Sequence, residues 1–144
     1  MHMTIRNSTD TLVIHCTQTP EDMDIGADEI RRWHKNRGFD TIGYHFVIRR
    51  NGTIESGRDI NFVGAHAVAV NGTSIGISLV GGGTKDMGWE DNFNPEQFES
   101  LKSLIIKLKS DYQIKKVIGH YQVDDKKECP SFDVPKWLEE NGLV

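Results

Sequence analysis

The sequence predicts an α/β protein of the mixed α+β kind: a single domain with a central mixed sheet of about five strands flanked by helices. Short β-branched or apolar segments recur along the chain, and segments with helically spaced apolar residues lie between them. A chain of 144 residues is long enough for one domain with its own core, and no repeat or linker divides it. We therefore expect a tail at residues 1–10, whose first two residues resemble a cloning scar, and one folded domain at residues 11–144.

Five segments have the composition of β-strands. The first is rich in β-branched residues and alternates, so His15 and Cys16 at its end point to opposite faces of the sheet. Asn51-Gly52 is a two-residue hairpin signal between the second strand and the third. Residues 59–73 show no periodicity, which predicts a loop. The predicted strands are residues 11–16, 42–48, 53–56, 74–80 and 116–119.

Three segments are expected to be helices. Ile30 and Trp33 lie at helical spacing in the first, and Gly38 follows it as a usual C-cap residue. The second begins with a strong start signal, in which Asn94 is the N-cap, proline follows, and Gln97 stands three residues after the cap. Its apolar stripe is expected to cover one face of the sheet. The predicted helices are residues 26–37, 94–111 and 133–141.

Charge and composition exclude several classes of protein. Lys and Arg number 17 against 21 Asp and Glu, a net charge of −4, whereas nucleic-acid binders carry a basic face, so we expect no direct contact with nucleic acid. No apolar run approaches the roughly 20 residues that span a bilayer, and no signal peptide is present, so we expect cytoplasmic synthesis and no membrane insertion. Two cysteines form no disulfide framework, which favours metal binding or catalysis for them.

Two apolar runs that each end in histidine mark the expected chemistry. His15 ends the first predicted strand, His120 follows the last, and Cys129 lies nine positions beyond His120. Zinc prefers imidazole nitrogen and thiolate sulfur, and a catalytic zinc takes three protein ligands and one water. A second interpretation makes Cys129 a nucleophile paired with His120, and a third makes these side chains structural. The neighbouring Lys126 and Lys127 favour a thiolate at Cys129, which suits a metal ligand and a nucleophile equally. The spacing therefore does not decide between these two interpretations.

The residues around these candidates form a series of short motifs. The motifs are Ile14-His15-Cys16, Arg32-Trp33-His34-Lys35, Gly43-Tyr44-His45-Phe46, Gly52-Thr53, Gly57-Arg58-Asp59, Gly64-Ala65-His66-Ala67, Asn71 with Ser74-Ile75-Gly76, and Gly119-His120 with Cys129-Pro130-Ser131-Phe132-Asp133. In this order, over residues 12–137, they resemble the type 2 family of N-acetylmuramoyl-L-alanine amidases. Within that family the chain is most similar to the amidase-type lysozymes (endolysins) of T-odd phages, and peptidoglycan recognition proteins are more distant relatives.

The resemblance implies a zinc amidase catalytic domain with Zn²⁺ on His15, His120 and Cys129. It also implies hydrolysis of the amide bond between the lactyl group of N-acetylmuramic acid and L-alanine in peptidoglycan, and therefore bacterial cell-wall lysis. The alternative is a peptidoglycan-binding module without catalysis, against which the complete ligand set argues. The phage enzymes also suggest a second role, inhibition of a phage RNA polymerase. We expect a monomer that reaches the wall only after the host membrane is permeabilised, by a holin or similar partner.

The resemblance further assigns catalytic side chains to Tyr44 and Lys127. One departure affects this assignment, because the loop before Cys129 is one residue longer than in the phage enzymes and Lys126 competes for the role. We prefer Lys127 because the family pattern, counted back from the ligand, is Lys-x-Cys. His66 lies in a Gly/Ala loop that is expected to line the cleft, so it is predicted to contact the substrate.

Overall fold

The computed structural model describes residues 3–144, and the predicted cloning scar at residues 1–2 lies outside the described residues. Within residues 3–144 there are one mixed five-stranded sheet and three α-helices, which confirms the predicted fold class. The strands are β1 (Thr11–Cys16), β2 (Phe46–Ile48), β3 (Ile54–Ser56), β4 (Ser74–Leu79) and β5 (Lys116–Gly119). The helices are α1 (Ala27–Asn36), α2 (Pro95–Asp111) and α3 (Val134–Glu140). Among these residues no helix is both long and apolar enough to cross a membrane.

The sheet order β3-β2-β4-β1-β5 places β1 near the centre, and its strand pairs are parallel except for the β2–β3 hairpin. All six residues of β1 are buried, as expected for a parallel strand that is covered on both faces. The register sets Gly119 opposite Ile14, so His120 emerges beside His15. The candidate ligands therefore meet at the carboxyl ends of parallel strands, where binding sites of such sheets form.

Helix α2 covers one face of the sheet. Its buried residues pack against Leu12 and Ile14 of β1, and the start of the helix is fixed by the Asn94 backbone N–H, which donates to Gln97 Oε1 at 3.0 Å. Helix α1 lies over the other face, where Ile30 packs with Val47. The core residues that α2 contributes are Leu101, Leu104, Ile105 and Leu108.

Most predicted boundaries agree with the structure to within one residue, and the start of the second strand differs by four. The second strand was expected at residues 42–48, but regular pairing begins only at Phe46. Residues 44 and 45 still accept backbone hydrogen bonds, from Arg58 and Gly57 respectively, yet two successive acceptors on one side interrupt the alternating ladder. Thr4, in the predicted tail, accepts a hydrogen bond from Val63 N–H at 2.7 Å, and the division into a tail and one domain stays a prediction.

Candidate active site

The donor atoms of His15, His120 and Cys129 lie within 4.8 Å of one another. His15 comes from the end of β1, His120 follows β5, and the His15 and His120 rings are 4.6 Å apart between centroids. The backbone N–H of Cys16 donates to Cys129 Sγ at 3.0 Å, which holds the thiol against the end of β1. The structure thus brings together the three residues that the sequence predicted as ligands.

The segment between His120 and Ser131 folds back on itself, and this brings Cys129 to the sheet. Tyr121 N–H donates to Cys129 O at 2.9 Å, which closes the loop at its base. Beyond Cys129, whose peptide bond to proline is cis, Ser131 Oγ donates to Gly82 O at 2.7 Å and anchors the chain to the end of β4. These two hydrogen bonds hold the loop at both ends, so the Cys129 sulfur is buried against the sheet although the rest of the loop is polar.

The electrostatics of this group suit a soft divalent cation. Burial, followed by the neighbouring imidazoles, lowers the pKa of His15 well below its ordinary value, and burial also lowers the pKa of His120, so both rings are neutral at neutral pH. A neutral imidazole is the ligand form. Two imidazoles and one thiol form a donor set that zinc prefers. The residues present therefore fit a zinc ion.

Cys129 departs from its expected acidity. The neighbouring lysines were expected to favour a thiolate, but burial raises the pKa of Cys129 well above its ordinary value and outweighs the lowering by Lys127. A buried neutral thiol is a weak nucleophile, because the thiolate is the reactive form. A bound cation stabilises the thiolate, so this environment favours the ligand interpretation over the nucleophile interpretation.

Tyr44 stands over the ligand group. Its ring is 5.0 Å from the ring of His15 between centroids. Burial, and then the nearby Cys129 thiol, raise the pKa of Tyr44, so its phenol keeps its proton and is a hydrogen-bond donor. The placement beside His15 is compatible with the predicted catalytic role, which stays a prediction.

Lys127 is exposed at the rim of the site, where it lines the same pocket as His120 and Cys129. Its charge reaches the ligands, since it contributes to the lowered pKa of His120. Lys126, also exposed, has its backbone N–H bonded to Asp124 Oδ1 at 3.1 Å. The choice between the two lysines stays a prediction, with the geometry compatible with Lys127.

His66 is buried beneath the site, although its ring also borders the cleft. Its Nδ1 is 2.9 Å from Nε2 of His15. Burial and the neighbouring His45 lower the pKa of His66 well below its ordinary value. The predicted substrate contact of His66 is untested by this geometry and stays a prediction.

His34 belongs to the site but was given no role from the sequence. Its Nδ1 accepts a hydrogen bond from Gly43 N–H at 2.8 Å, and its ring lies 5.4 Å from that of Tyr44 between centroids, so it supports the segment that carries the tyrosine. Burial lowers the pKa of His34 to about 4. The available signal was its position four residues after Ile30, on the buried side of α1.

Two depressions flank the ligand group and differ in charge. The cationic cleft, about 740 Å³, runs past Arg37, Arg58 and Lys127. The acidic groove, about 450 Å³, lies on the other side, where Glu90 and Trp89 are among the residues beside Lys127. Lys127 borders both, so the two depressions meet at this side chain.

Residues 6–132 match the family model described as N-acetylmuramoyl-L-alanine amidase, and the chain belongs to that family. Its relatives include the endolysin of Escherichia phage T7, 45% identical over 96% of this chain and 91% of the relative, and that of Klebsiella phage KP32, 44% identical over 100% and 95%. Peptidoglycan-recognition protein LB of Drosophila melanogaster is 37% identical over 80% of this chain and 48% of its own length. These relatives confirm the predicted resemblance.

Solved structures support the same assignment. The amidase LysC of Clostridium intestinale superposes with a TM-score of 0.84 at 30% identity, covering 100% of this chain and 92% of that chain. The Drosophila recognition protein PGRP-LB superposes with a TM-score of 0.79 at 27% identity, covering 99% and 87%. The sheet and helices described above are therefore the fold that amidases and peptidoglycan recognition proteins share.

Proposed function

We propose that this protein is a zinc-dependent N-acetylmuramoyl-L-alanine amidase that lyses bacterial cell walls as a phage endolysin. The reaction is hydrolysis of the amide between the lactyl group of N-acetylmuramic acid and L-alanine. The observation that carries the proposal is the group of His15, His120 and Cys129, whose donor atoms converge within 4.8 Å beside an open cleft in an amidase-family chain.

Amide hydrolysis at neutral pH needs a strong nucleophile and stabilisation of the oxyanion. A bound zinc supplies Lewis acidity and lowers the pKa of a coordinated water to roughly 7. His15, His120 and Cys129 would hold the ion, and the two neutral imidazoles are ready for this role without losing a proton. Cys129 must lose its proton, so zinc affinity is expected to rise with pH.

Tyr44 and Lys127 supply the remaining chemistry in this proposal. The phenol of Tyr44 stays protonated, so it donates a hydrogen bond that orients the water or the scissile carbonyl. Lys127 carries an exposed ammonium group at the rim, which stabilises negative charge as it develops on the carbonyl oxygen. Both groups approach the ligand set from the cleft side, where the substrate enters.

Peptidoglycan suits the surface around the site. The peptide stem carries carboxylates, which the positive charges of Arg37, Arg58 and Lys127 in the cationic cleft attract. The sugar side of the scissile bond is neutral and tolerates the carboxylates of the acidic groove, which include Glu90. The proposal therefore places the stem in the cationic cleft and the glycan toward the acidic groove.

The remaining expectations concern partners and location, and they rest on the resemblance. They are inhibition of a phage RNA polymerase, a monomeric state, synthesis in the host cytoplasm, and access to the wall only after the membrane is permeabilised. The rival function, peptidoglycan binding without catalysis, requires no metal. Intact ligands and a protonated tyrosine beside them favour the catalytic function.

Chelation followed by product analysis tests the proposal. A strong chelator is expected to abolish loss of turbidity by exposed cell walls, and added zinc is expected to restore it, because the proposed nucleophile depends on the ion. The digest should contain new L-alanine amino termini and no new reducing sugar ends. Full activity in a verified zinc-free sample contradicts zinc dependence, and new reducing ends identify a glycosidase instead.

A further inference from the structure

Both ring nitrogens of His66 have protein partners. Nδ1 lies 2.9 Å from Nε2 of His15, and Nε2 lies 3.2 Å from Ser74 Oγ. The His15 and His66 rings meet edge to face, with centroids 4.9 Å apart. A histidine whose two nitrogens are both engaged with the protein offers only its ring carbons to a substrate.

The protein around His66 is shaped to hold this ring in one orientation. The side-chain oxygen of Asn71 accepts hydrogen bonds from the backbone N–H groups of His66 and Ala67, at 3.0 and 2.8 Å. A Cβ at Gly76 would lie 2.6 Å from Cγ of His66, and its three nearest atoms would all belong to that ring. The absence of a side chain at Gly76 therefore makes room for the imidazole.

The bond to His66 determines which nitrogen of His15 remains for a metal. A neutral imidazole has one N–H and one lone pair, and a ligand nitrogen must present its lone pair. With Nε2 of His15 paired to His66, Nδ1 is the nitrogen left to offer a lone pair to a metal, and this pairing then requires the proton on Nε2. His120 differs, because its Nε2 has only a longer contact, 3.9 Å to Asp124 Oδ2.

We propose that His66 is a positioning residue which accepts the Nε2–H of His15 and so fixes the tautomer and orientation that present His15 Nδ1 to the metal. This inference rests on the proposed zinc site and deepens it. It assigns to His66 a role different from the predicted substrate contact. The two roles are separable, because a positioning residue changes metal affinity, whereas a substrate contact changes KM with metal affinity intact.

Zinc affinity measured by competition with a chromophoric chelator, without substrate, tests the proposal. His66→Leu removes the acceptor and is expected to raise the zinc Kd by about 10–100-fold, the usual cost of losing such a partner. His66→Asn places a side-chain oxygen near the Nδ1 position and is expected to bind zinc nearly as well as the wild type. Gly76→Ala keeps every hydrogen-bonding group but displaces the ring, so it is expected to weaken zinc as well.

His45 provides the matched control. It is a buried histidine whose ring lies 5.8 Å from that of His66 between centroids. Its Nδ1 accepts from Gly76 N–H at 3.0 Å, and its Nε2 lies 2.8 Å from Phe62 O and 3.4 Å from Arg6 Nη1, so both of its nitrogens are engaged with groups other than the candidate ligands. His45→Gln is expected to lower the melting temperature and leave the zinc Kd unchanged. The melting temperature of each variant, measured without metal, separates lost packing from lost positioning.

Each result decides the question. Unchanged zinc Kd in His66→Leu and Gly76→Ala overturns the proposal, and a raised KM with that result identifies a substrate contact. Equal losses of zinc affinity in His66→Leu, His66→Asn and His45→Gln also overturn it, since they indicate general packing. If His66→Leu does not fold, Gly76→Ala against His45→Gln gives the decision. A wild-type chain that binds no zinc overturns the proposed function together with this inference.

Discussion

The site is assembled from two halves that differ in how firmly they are held. The sheet half consists of His15 in β1 together with Tyr44, just before β2, and His66, whose loop packs its ring against Gly76 of β4; all three are buried or partly buried. The loop half consists of His120, Lys127 and Cys129, which belong to the turn and loop after β5. Lys127 is exposed, whereas His15 is 1% exposed within a strand that is paired on both sides.

The two halves contribute different properties to the site: the sheet half fixes the orientation of its rings, and the loop half supplies the charged groups. The sheet half offers neutral rings whose orientation is fixed by hydrogen bonds such as the one between His15 and His66. The loop half supplies an exposed cation, Lys127, and the one candidate ligand, Cys129, that must lose a proton to bind a metal. Of the three candidate ligands, His15 and His120 are placed by the ends of β1 and β5, and Cys129 alone depends on how the loop closes.

The largest expected effect compares one catalytic side chain from each half. Tyr44→Phe and Lys127→Ala are each expected to lower kcat by about 100-fold or more while zinc stays bound, because loss of one donor to a developing oxyanion typically costs that much. Turnover on purified cell walls and zinc content are measured on the same samples.

Lys126→Ala is the matched control for the loop half. It removes the same charge one position away and is expected to keep nearly full turnover. If Lys126→Ala loses turnover while Lys127→Ala keeps it, Lys126 is the catalytic lysine and the assignment of that role to Lys127 is wrong.

A smaller effect compares two glutamines, one supporting each half. Gln97 is fully buried, and its Nε2 donates to Val80 O at 2.9 Å, which ties α2 to the sheet. Gln97→Leu is expected to lower the free energy of unfolding by about 1–3 kcal/mol, since the buried partners lose their hydrogen bonds. Gln122, whose Oε1 accepts from Gly119 N–H at 2.7 Å, is exposed, and Gln122→Leu is expected to cost within about 0.5 kcal/mol.

Urea unfolding of both glutamine variants measures this difference, and turnover is expected to survive in Gln97→Leu wherever the chain is folded. Equal stability losses in the two variants would contradict the view that the sheet half is the firmer one.

Much of the fold was predictable because its signals are local. The Asn94 and Gln97 start signal and the Asn51-Gly52 hairpin act within a few residues, and both elements are present. The family motifs also singled out His15, His120 and Cys129, which the structure brings close together. The acidity of Cys129 was not predictable, because the adjacent lysines are visible in the sequence and the burial that outweighs them is not.

The contact between His15 and His66 illustrates the same limit. The two residues are 51 positions apart, and only the folded chain shows that their ring nitrogens meet. His34 was given no role for a related reason. A histidine on the apolar face of a helix is usually a core residue, and only the folded chain shows that its Nδ1 accepts a hydrogen bond from Gly43 N–H.

Zinc stoichiometry in paired cysteine variants tests the central claim most directly. Cys129→Ser is expected to lose both zinc and wall lysis, because a neutral hydroxyl is a far poorer donor than a thiolate. Cys16→Ser is the control, since the Cys16 thiol neighbours the Cys129 thiol but is not one of the three converging donors. This variant keeps a hydrogen-bonding group at position 16 and is expected to keep one zinc per chain and normal turnover. Full zinc content in Cys129→Ser with lysis abolished would contradict the account, because it would make Cys129 a nucleophile instead of a ligand.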